Sequence, residues 1–291
     1  MKKVLVFGGN GFLGSYLVEE LISRGYSVTI ADINENVEFE EVEYICCNIS
    51  VRKEISNVFE NSDYDIVYNL AGLANLDAAV ENPLKTMELN VLGNLYIIEE
   101  CVNHKIKKFI YASSAYAMSN KGSFYGISKL ASEKIVEEYH KKFNLDFVIL
   151  RYGSVYSEKD FNNNYIYNLV KEAVSTKKID HHGDGKEIRE YIHAADAAKL
   201  SVDVIENDKF NNFHVILTGT ERMQRRELFN MINEILDNSL EINCNNSGYS
   251  NHYKFTPYSF QPSVSKKLIA NPHIDMGQGL LECIRAVYEK K

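Results

Sequence analysis

The sequence predicts an α/β fold: a doubly wound parallel sheet with a smaller C-terminal α/β lobe for a substrate. Three observations predict it. Short apolar runs alternate with helical stripes, the pattern of repeated βα units. The segment Gly8-Gly9-Asn10-Gly11-Phe12-Leu13-Gly14 joins the first run to the first stripe. An acid, Asp32, closes the second run.

Composition sets the frame. The 291 residues are 45% apolar, enough for one large or two unequal domains. A net charge of −8 with no basic stripe argues against nucleic acid as a partner. A phosphorylated substrate must then meet positive charge concentrated locally. Five cysteines without a Cys-x-x-Cys or histidine cluster point to a reduced, cytoplasmic protein with no metal centre. His181-His182 reads as a pair of loop histidines. The short apolar run after Met1-Lys2-Lys3 is too brief for a signal peptide. No run reaches the length of a membrane span, so no membrane partner is expected.

Val4 to Phe7 is a continuous apolar run, as a strand buried on both faces requires. Leu13, Leu17, Leu21 and Ile22 carry a helical stripe to Gly25, and Ser27 to Ala31 is the second strand. Strand, glycine turn, helix, strand and acid in that order make a dinucleotide site on a Rossmann-like sheet. Gly8 and Gly11 make the tight turn and admit the pyrophosphate. Gly14 lets helix and sheet close up, and N–H groups at the helix start face the phosphates. Asp32 accepts from the adenosine ribose hydroxyls and repels a 2′-phosphate, so NAD is favoured over NADP.

The alternation continues. Val42 to Ile45 is a third strand, followed by Asn48-Ile49 as an adenine contact. Asp65 to Leu70 is a strand ending in Ala71-Gly72, small residues suited to close approach. Pro83 opens a long helix to Asn103. Lys108 to Ala112 is a strand ending at Ser113-Ser114, and Tyr125 starts a helix to Phe143. Phe147 to Leu150 leads to Tyr152-Gly153-Ser154-Val155. Residues 1–155 form the NAD-binding domain and 156–291 the substrate lobe, with some interleaving expected. In that lobe Tyr165 to Val174, Ala194 to Ile205 and Arg226 to Leu236 read as helices. Phe213 to Leu217 and Leu240 to Cys244 read as strands.

Tyr125 and Lys129 are four residues apart and share one helix face. A phenol with a pKa near ~10 is a poor base at neutral pH. A nearby ammonium lowers it, so that the pair exchanges a proton with a carbinol or carbonyl. Tyr167 and Lys171 repeat the spacing and read as exposed helix. The strand ends favour the first pair, because ligands of such sheets bind at strand C-termini, where Ser114 and Tyr152 also fall.

The motifs Gly8 to Gly14, Asn69 to Gly72, Glu81 to Pro83, Asn90 to Asn94, Tyr111 to Ser114, Tyr125 to Lys134, Leu150 to Tyr156 and Gly183 to His193 run in one order along the chain. Together they resemble the extended short-chain dehydrogenases/reductases, the NAD-dependent epimerase/dehydratase family acting on nucleotide sugars. The resemblance implies Tyr125 as base and acid, with Lys129 lowering its pKa and holding the nicotinamide ribose. It implies Ser114 on the reacting oxygen and NAD as cofactor. Further cofactor contacts would be Gly8, Asn10, Gly11, Phe12, Leu13, Asp32, Ile33, Asn48, Ile49, Leu70, Ala71, Gly72, Ser113, Tyr152 and Val155. Tyr116, Ser154 and Arg189 would meet substrate, Arg189 at its phosphates or, alternatively, paired with Glu187 or Glu190 on the surface. Helices 83–103 and 125–143 resemble those that pair in the family's homodimer or dimer of dimers.

Departures from the family matter too. Asn69 replaces a usual histidine, Asn48 a usual aspartate and Ser154 a frequent asparagine. Beside Ser114, where the 4,6-dehydratases carry Asp-Glu, the chain has Ala115-Tyr116, which disfavours elimination. The overall look is similar to capsule and surface-polysaccharide enzymes. It favours a GDP-heptose C4 dehydrogenase, with a UDP- or GDP-sugar C4 epimerase as the alternative. A non-catalytic NAD(H)-sensing module is the reading from another class. Tyr249, Tyr253, Phe255, Tyr258 and Phe260 either pack as core or stack on a nucleotide base.

Overall fold

The computed structural model describes the chain except residues 36–38, 41, 61–62, 160, 162–163, 221, 246–253, 255–264 and 291. The five late aromatics named above lie outside the described residues. In chain order the first half comprises β1 (Lys3–Phe7), α1 (Phe12–Ser23), β2 (Ser27–Asp32), β3 (Glu43–Cys46), α2 (Arg52–Phe59) and β4 (Ile66–Asn69). It continues with α3 (Leu76–Glu81), α4 (Pro83–Met87), a π turn (Glu88–Gly93), α5 (Asn94–Asn103), β5 (Lys108–Ser114), α6 (Ser123–Phe143) and β6 (Asp146–Tyr152). The second half comprises β7 (Ser154–Tyr156), α7 (Tyr165–Thr176), β8 (Lys178–His182), β9 (Ile188–His193), α8 (Ala194–Asp203) and β10 (Phe213–Leu217). It ends with β11 (Arg222–Gln224), α9 (Arg225–Ile235), β12 (Glu241–Asn245), β13 (Ser265–Leu268) and α10 (Met276–Glu289).

Eight strands form one sheet in the order β13-β10-β6-β5-β4-β1-β2-β3, and every pairing is parallel. Alternate residues of a strand point to opposite faces. Val4 and Val6 accordingly pack with Leu17, Leu21 and Leu200 on one side. Leu5 and Phe7 pack with Ile55, Ile97 and Val136 on the other. Each fully buried Leu or Val contributes about 1.5–3 kcal/mol over its exposed state. Burial on both faces is why these strands read as unbroken apolar runs.

A separate core joins α7, α9 and α10 in the smaller lobe. β10 and β13 come from beyond residue 155, yet they complete the large sheet. α8 returns likewise, and its Ala197 and Leu200 join the core of that sheet beside Leu17.

The structure corrects several expectations. Tyr167 is buried in the small-lobe core, so the helix is amphipathic and, of this pair, Lys171 alone faces solvent. The helix from Pro83 is not one continuous α-helix. It widens into the π turn, where Asn90 bonds both the N–H and the carbonyl of Leu73, at 2.7 and 3.0 Å, and Ser128 Oγ at 3.0 Å. π turns recur at functional sites, and this one pins the loop after β4. His181-His182 lies on β8, not in a loop, with buried His181 3.2 Å from Glu187.

Candidate functional site

The C-terminal ends of β1, β2, β4, β5 and β6 open into a cavity of about 420 Å³. Gly8, Gly11, Phe12 and Leu13 line its floor, and Asp32, Ile33, Asn48 and Ile49 line one end. Leu70, Ala71, Gly72 and Val155 line its walls, with Ser113, Ser114, Tyr125, Lys129 and Tyr152 at the far end.

The floor suits a dinucleotide. Gly8 has φ +79°, and a Cβ there would lie 2.7 Å from the Ala71 nitrogen. A Cβ on Gly14 would lie 2.0 Å from the Gly8 carbonyl oxygen, so only glycine lets α1 begin so close to β1. Gly11 caps α1 without a side-chain bond, and no acid occupies the first turn, so the helix start offers N–H groups and positive dipole to an anion. The Asp32 carboxylate is fixed by the N–H groups of Asn10 (3.0 Å) and Asn34 (2.9 Å).

Three of the expected cofactor contacts also have partners within the protein. Asn10 does not line the cavity; its side chain donates to the Asn34 carbonyl and its main chain orients Asp32. Asn48 lines it, but its amide oxygen already accepts from the N–H and hydroxyl of Ser50 at 3.0 and 2.9 Å. Ser113 lines the cavity while its hydroxyl donates to Glu133 at 2.5 Å.

At the far end Lys129 Nζ donates to the Ala112 carbonyl at 2.8 Å and lies 5.9 Å from the centre of the Tyr125 ring. Burial pushes the Lys129 pKa down to about 8, and the Glu133 carboxylate works against that fall. Burial alone would raise the Glu133 carboxyl; Arg151, His214 and Ser113 hold it at about 2. Ser114 caps the short turn Ala115–Met118, and its Oγ accepts from Tyr116 N at 3.3 Å. The Tyr116 ring packs edge-on against Tyr125, with centroids 6.0 Å apart, and fills the space over Gly122.

A second cavity of about 300 Å³ continues from Ser114, Tyr125 and Tyr152 into the smaller lobe. Tyr116, Ser154 and Arg189 line it as the sequence suggested, and Arg189 is buried rather than a surface residue. Arg225 and Tyr165 line it as well, the guanidinium 4.0 Å above the phenol ring. The sequence reading missed both. Arg225 opens α9, where a cation opposes the helix dipole. That misfit was the available signal. Arg189 and Arg225 thus bring two buried guanidiniums to one cavity of a chain whose net charge is −8.

Among the described residues, Glu158, His193 and Glu282 bring three possible ligand atoms within 4.8 Å of one another. His193 Nδ1 accepts the Ala195 N–H at 3.3 Å, so in the neutral ring Nε2 carries the proton and faces Glu158 at 3.3 Å. A metal needs that nitrogen bare. All five cysteines are free thiols. No helix among the described residues is long and apolar enough to cross a membrane.

Comparison with known proteins agrees with this geometry. The chain is 27% identical over 257 residues to a dTDP-D-glucose 4,6-dehydratase of Dictyostelium discoideum, covering 76% of this chain but only 59% of that protein. It is 28% identical over 253 residues to a putative UDP-glucose 4-epimerase of Methanocaldococcus jannaschii, covering 79% and 81%. A crystal structure of UDP-glucuronic acid 4-epimerase from Bacillus cereus, with UDP-glucuronic acid and NAD, superposes with a TM-score of 0.85 at 22% identity over 99% of this chain and all of that one. UDP-glucose 4-epimerase of Thermotoga maritima superposes with a TM-score of 0.83 at 21% identity over 99% of both chains. At such identities the structures share the fold. Residues 4–217 match the model of the NAD dependent epimerase/dehydratase family. The chain belongs to that family, and NAD is its cofactor.

Proposed function

We propose that this chain inverts C4 of a UDP-linked sugar. The observation that carries the reading is the meeting of Ser114, Tyr125 and Lys129 at the seam of the two cavities, one fitted to a dinucleotide and one holding two arginines. Bound NAD supplies reversible two-electron oxidation of an alcohol carbon. The side chains do the rest. Tyr125 Oη takes the proton of the C4 hydroxyl as the ketone forms and returns it when the inverted alcohol is remade. The Lys129 ammonium favours the phenolate, and Ser114 Oγ holds the reacting oxygen. Arg189 and Arg225 hold the diphosphate, Arg189 through the planar fork that suits phosphate oxygens, while the sugar turns its other face. Tyr116, packed on Tyr125, is neither the acid nor the base that elimination needs.

The relatives' names favour a UDP-sugar epimerase over the GDP-heptose dehydrogenase that the overall look of the sequence suggested. The two families of outcome separate cleanly. Purified protein is given NAD with UDP-glucose, UDP-glucuronic acid or GDP-heptose, and the product is examined by NMR. Inversion at C4 of a UDP-sugar supports the proposal. A 4-keto product released from GDP-heptose, with NADH left in solution, would restore the dehydrogenase reading.

A further inference from the structure

Beneath the catalytic pair lies a polar network that the proposed chemistry does not use. Tyr125, Lys129 and Glu133 follow at four-residue steps on one face of α6. Glu133 is fully buried. Its carboxylate accepts from Arg151 Nε and Nη2 at 2.9 and 2.6 Å, and from Ser113 Oγ at 2.5 Å. His214 Nδ1 lies 3.5 Å away on β10, while His214 Nε2 meets Glu137 at 2.8 Å, and Glu137 in turn pairs with Lys134.

Ser113 and Arg151 are directly paired across β5 and β6, and the residues after them, Ser114 and Tyr152, line the site. One carboxylate thus joins the helix that carries Tyr125 and Lys129 to the two strand ends that face them. Lys129 is buried against Tyr111, 5.0 Å from that ring centre, with a neutral carbonyl as its hydrogen-bond acceptor. Burial disfavours an ammonium strongly. Glu133 is the anion that opposes this loss, and the Arg151 fork keeps Glu133 ionised.

We propose that Glu133 is a positioning residue whose negative charge, fixed by Arg151 and Ser113, keeps Lys129 protonated beside Tyr125 at neutral pH. This rests on the reading of Tyr125 and Lys129 as the proton-transfer pair. The mechanism is electrostatic and has a sign. Removing the carboxylate takes away the attraction that opposes burial and leaves the Arg151 cation it had neutralised, so the lysine proton is held less firmly. Removing both charges takes away the attraction of Glu133 and the repulsion of Arg151 together, which leaves a smaller change.

The test reads Lys129 itself, without substrate. Protein labelled with ¹³C at lysine Cε is titrated by NMR, and the Lys129 signal is assigned by its loss in Lys129→Arg. Wild-type Lys129 is expected to titrate near about 8, apart from surface lysines near about 10.4. In Glu133→Gln the midpoint should fall by one pH unit or more. In Glu133→Gln/Arg151→Met, which removes the Glu133–Arg151 ion pair whole, it should fall by less. A midpoint that stays in place in either folded variant while the melting temperature drops would overturn the proposal and leave Glu133 a purely structural tie. A wild-type Lys129 that titrates with the surface lysines would also overturn the proposal, because no loss of charge would then need opposing; the reading of Tyr125 and Lys129 as the proton-transfer pair fails separately, if Tyr125→Phe keeps its turnover.

Discussion

Lys129 Nζ donates to the main-chain carbonyl of Ala112 at 2.8 Å. That bond ties the middle of α6 to the strand residue two before Ser114, and so sets the depth at which Tyr125 meets the site. Replacing Tyr125 by Phe removes the proton acceptor and leaves the ring. Turnover should fall by ~100-fold or more, while NAD affinity, followed by calorimetry, should stay near that of the wild type. Unchanged turnover would mean that another group moves the proton.

Asp32 is aimed by two main-chain N–H groups, from Asn10 and Asn34. Asp32→Ala removes the ribose acceptor and the charge that repels a 2′-phosphate. NAD should bind about 10-fold more weakly, the worth of one charge-assisted hydrogen bond, and NADP should gain relative to it. A wild type that already prefers NADP would contradict the role given to Asp32.

Arg189 and Arg225 predict a loss in substrate binding rather than chemistry. Arg189→Ala should raise KM for the nucleotide sugar on the order of 10–100-fold with a smaller change in kcat, since hydrogen bonds between charged groups contribute about 1.5–3 kcal/mol. Inhibition by UDP should weaken in parallel, and inhibition by uridine should not. Equal losses for UDP and uridine would place Arg189 away from the phosphates.

Much of the fold was legible because strands buried on both faces print as apolar runs, and because the glycine turn sits between strand and helix with Asp32 in step. Tyr167 was not legible. Its spacing to Lys171 matches that of Tyr125 to Lys129, and its burial depends on residues of α10 more than a hundred positions later. The π turn was hidden for a similar reason, since Asn90 is drawn out of register by Leu73 and Ser128. Of the residues that line the two cavities, the glycines, Asp32, Ser114, Tyr125, Lys129 and Arg189 lie in local motifs. Glu133 was inside a quoted motif without a role, because its partners Arg151 and Ser113 meet it only through the sheet.

The helices expected to pair in a dimer expose Leu84, Leu92, Phe124, Ile127 and Leu130. Paired α6 helices would cover that apolar surface, which a monomer leaves wet. Light scattering should give two or four times the chain mass, as a dimer or a dimer of dimers, and Ile127→Glu should shift it towards the monomer. A monomeric wild type would contradict the pairing.

Glu133 also predicts acid sensitivity. Its folded pKa, about 2, lies below the unfolded value of about 4.3. Its contribution to stability is therefore complete above the unfolded value and is lost as pH falls through the folded one. The melting temperature should drop between about pH 4.5 and 2. In Glu133→Gln/Arg151→Met the slope over that window should be shallower, and an unchanged slope would show that other carboxylates carry it.

The most direct measurement is the mass and C4 configuration of the product formed from UDP-glucose or UDP-glucuronic acid with NAD. Inversion at C4 with no change in mass is the predicted result. Loss of two mass units would mean that the ketone leaves before it is reduced. Loss of water would mean that elimination proceeds despite Ala115 and Tyr116, and loss of carbon dioxide from the glucuronic acid would mean that the C4 ketone serves decarboxylation. Any of the three would contradict the epimerase.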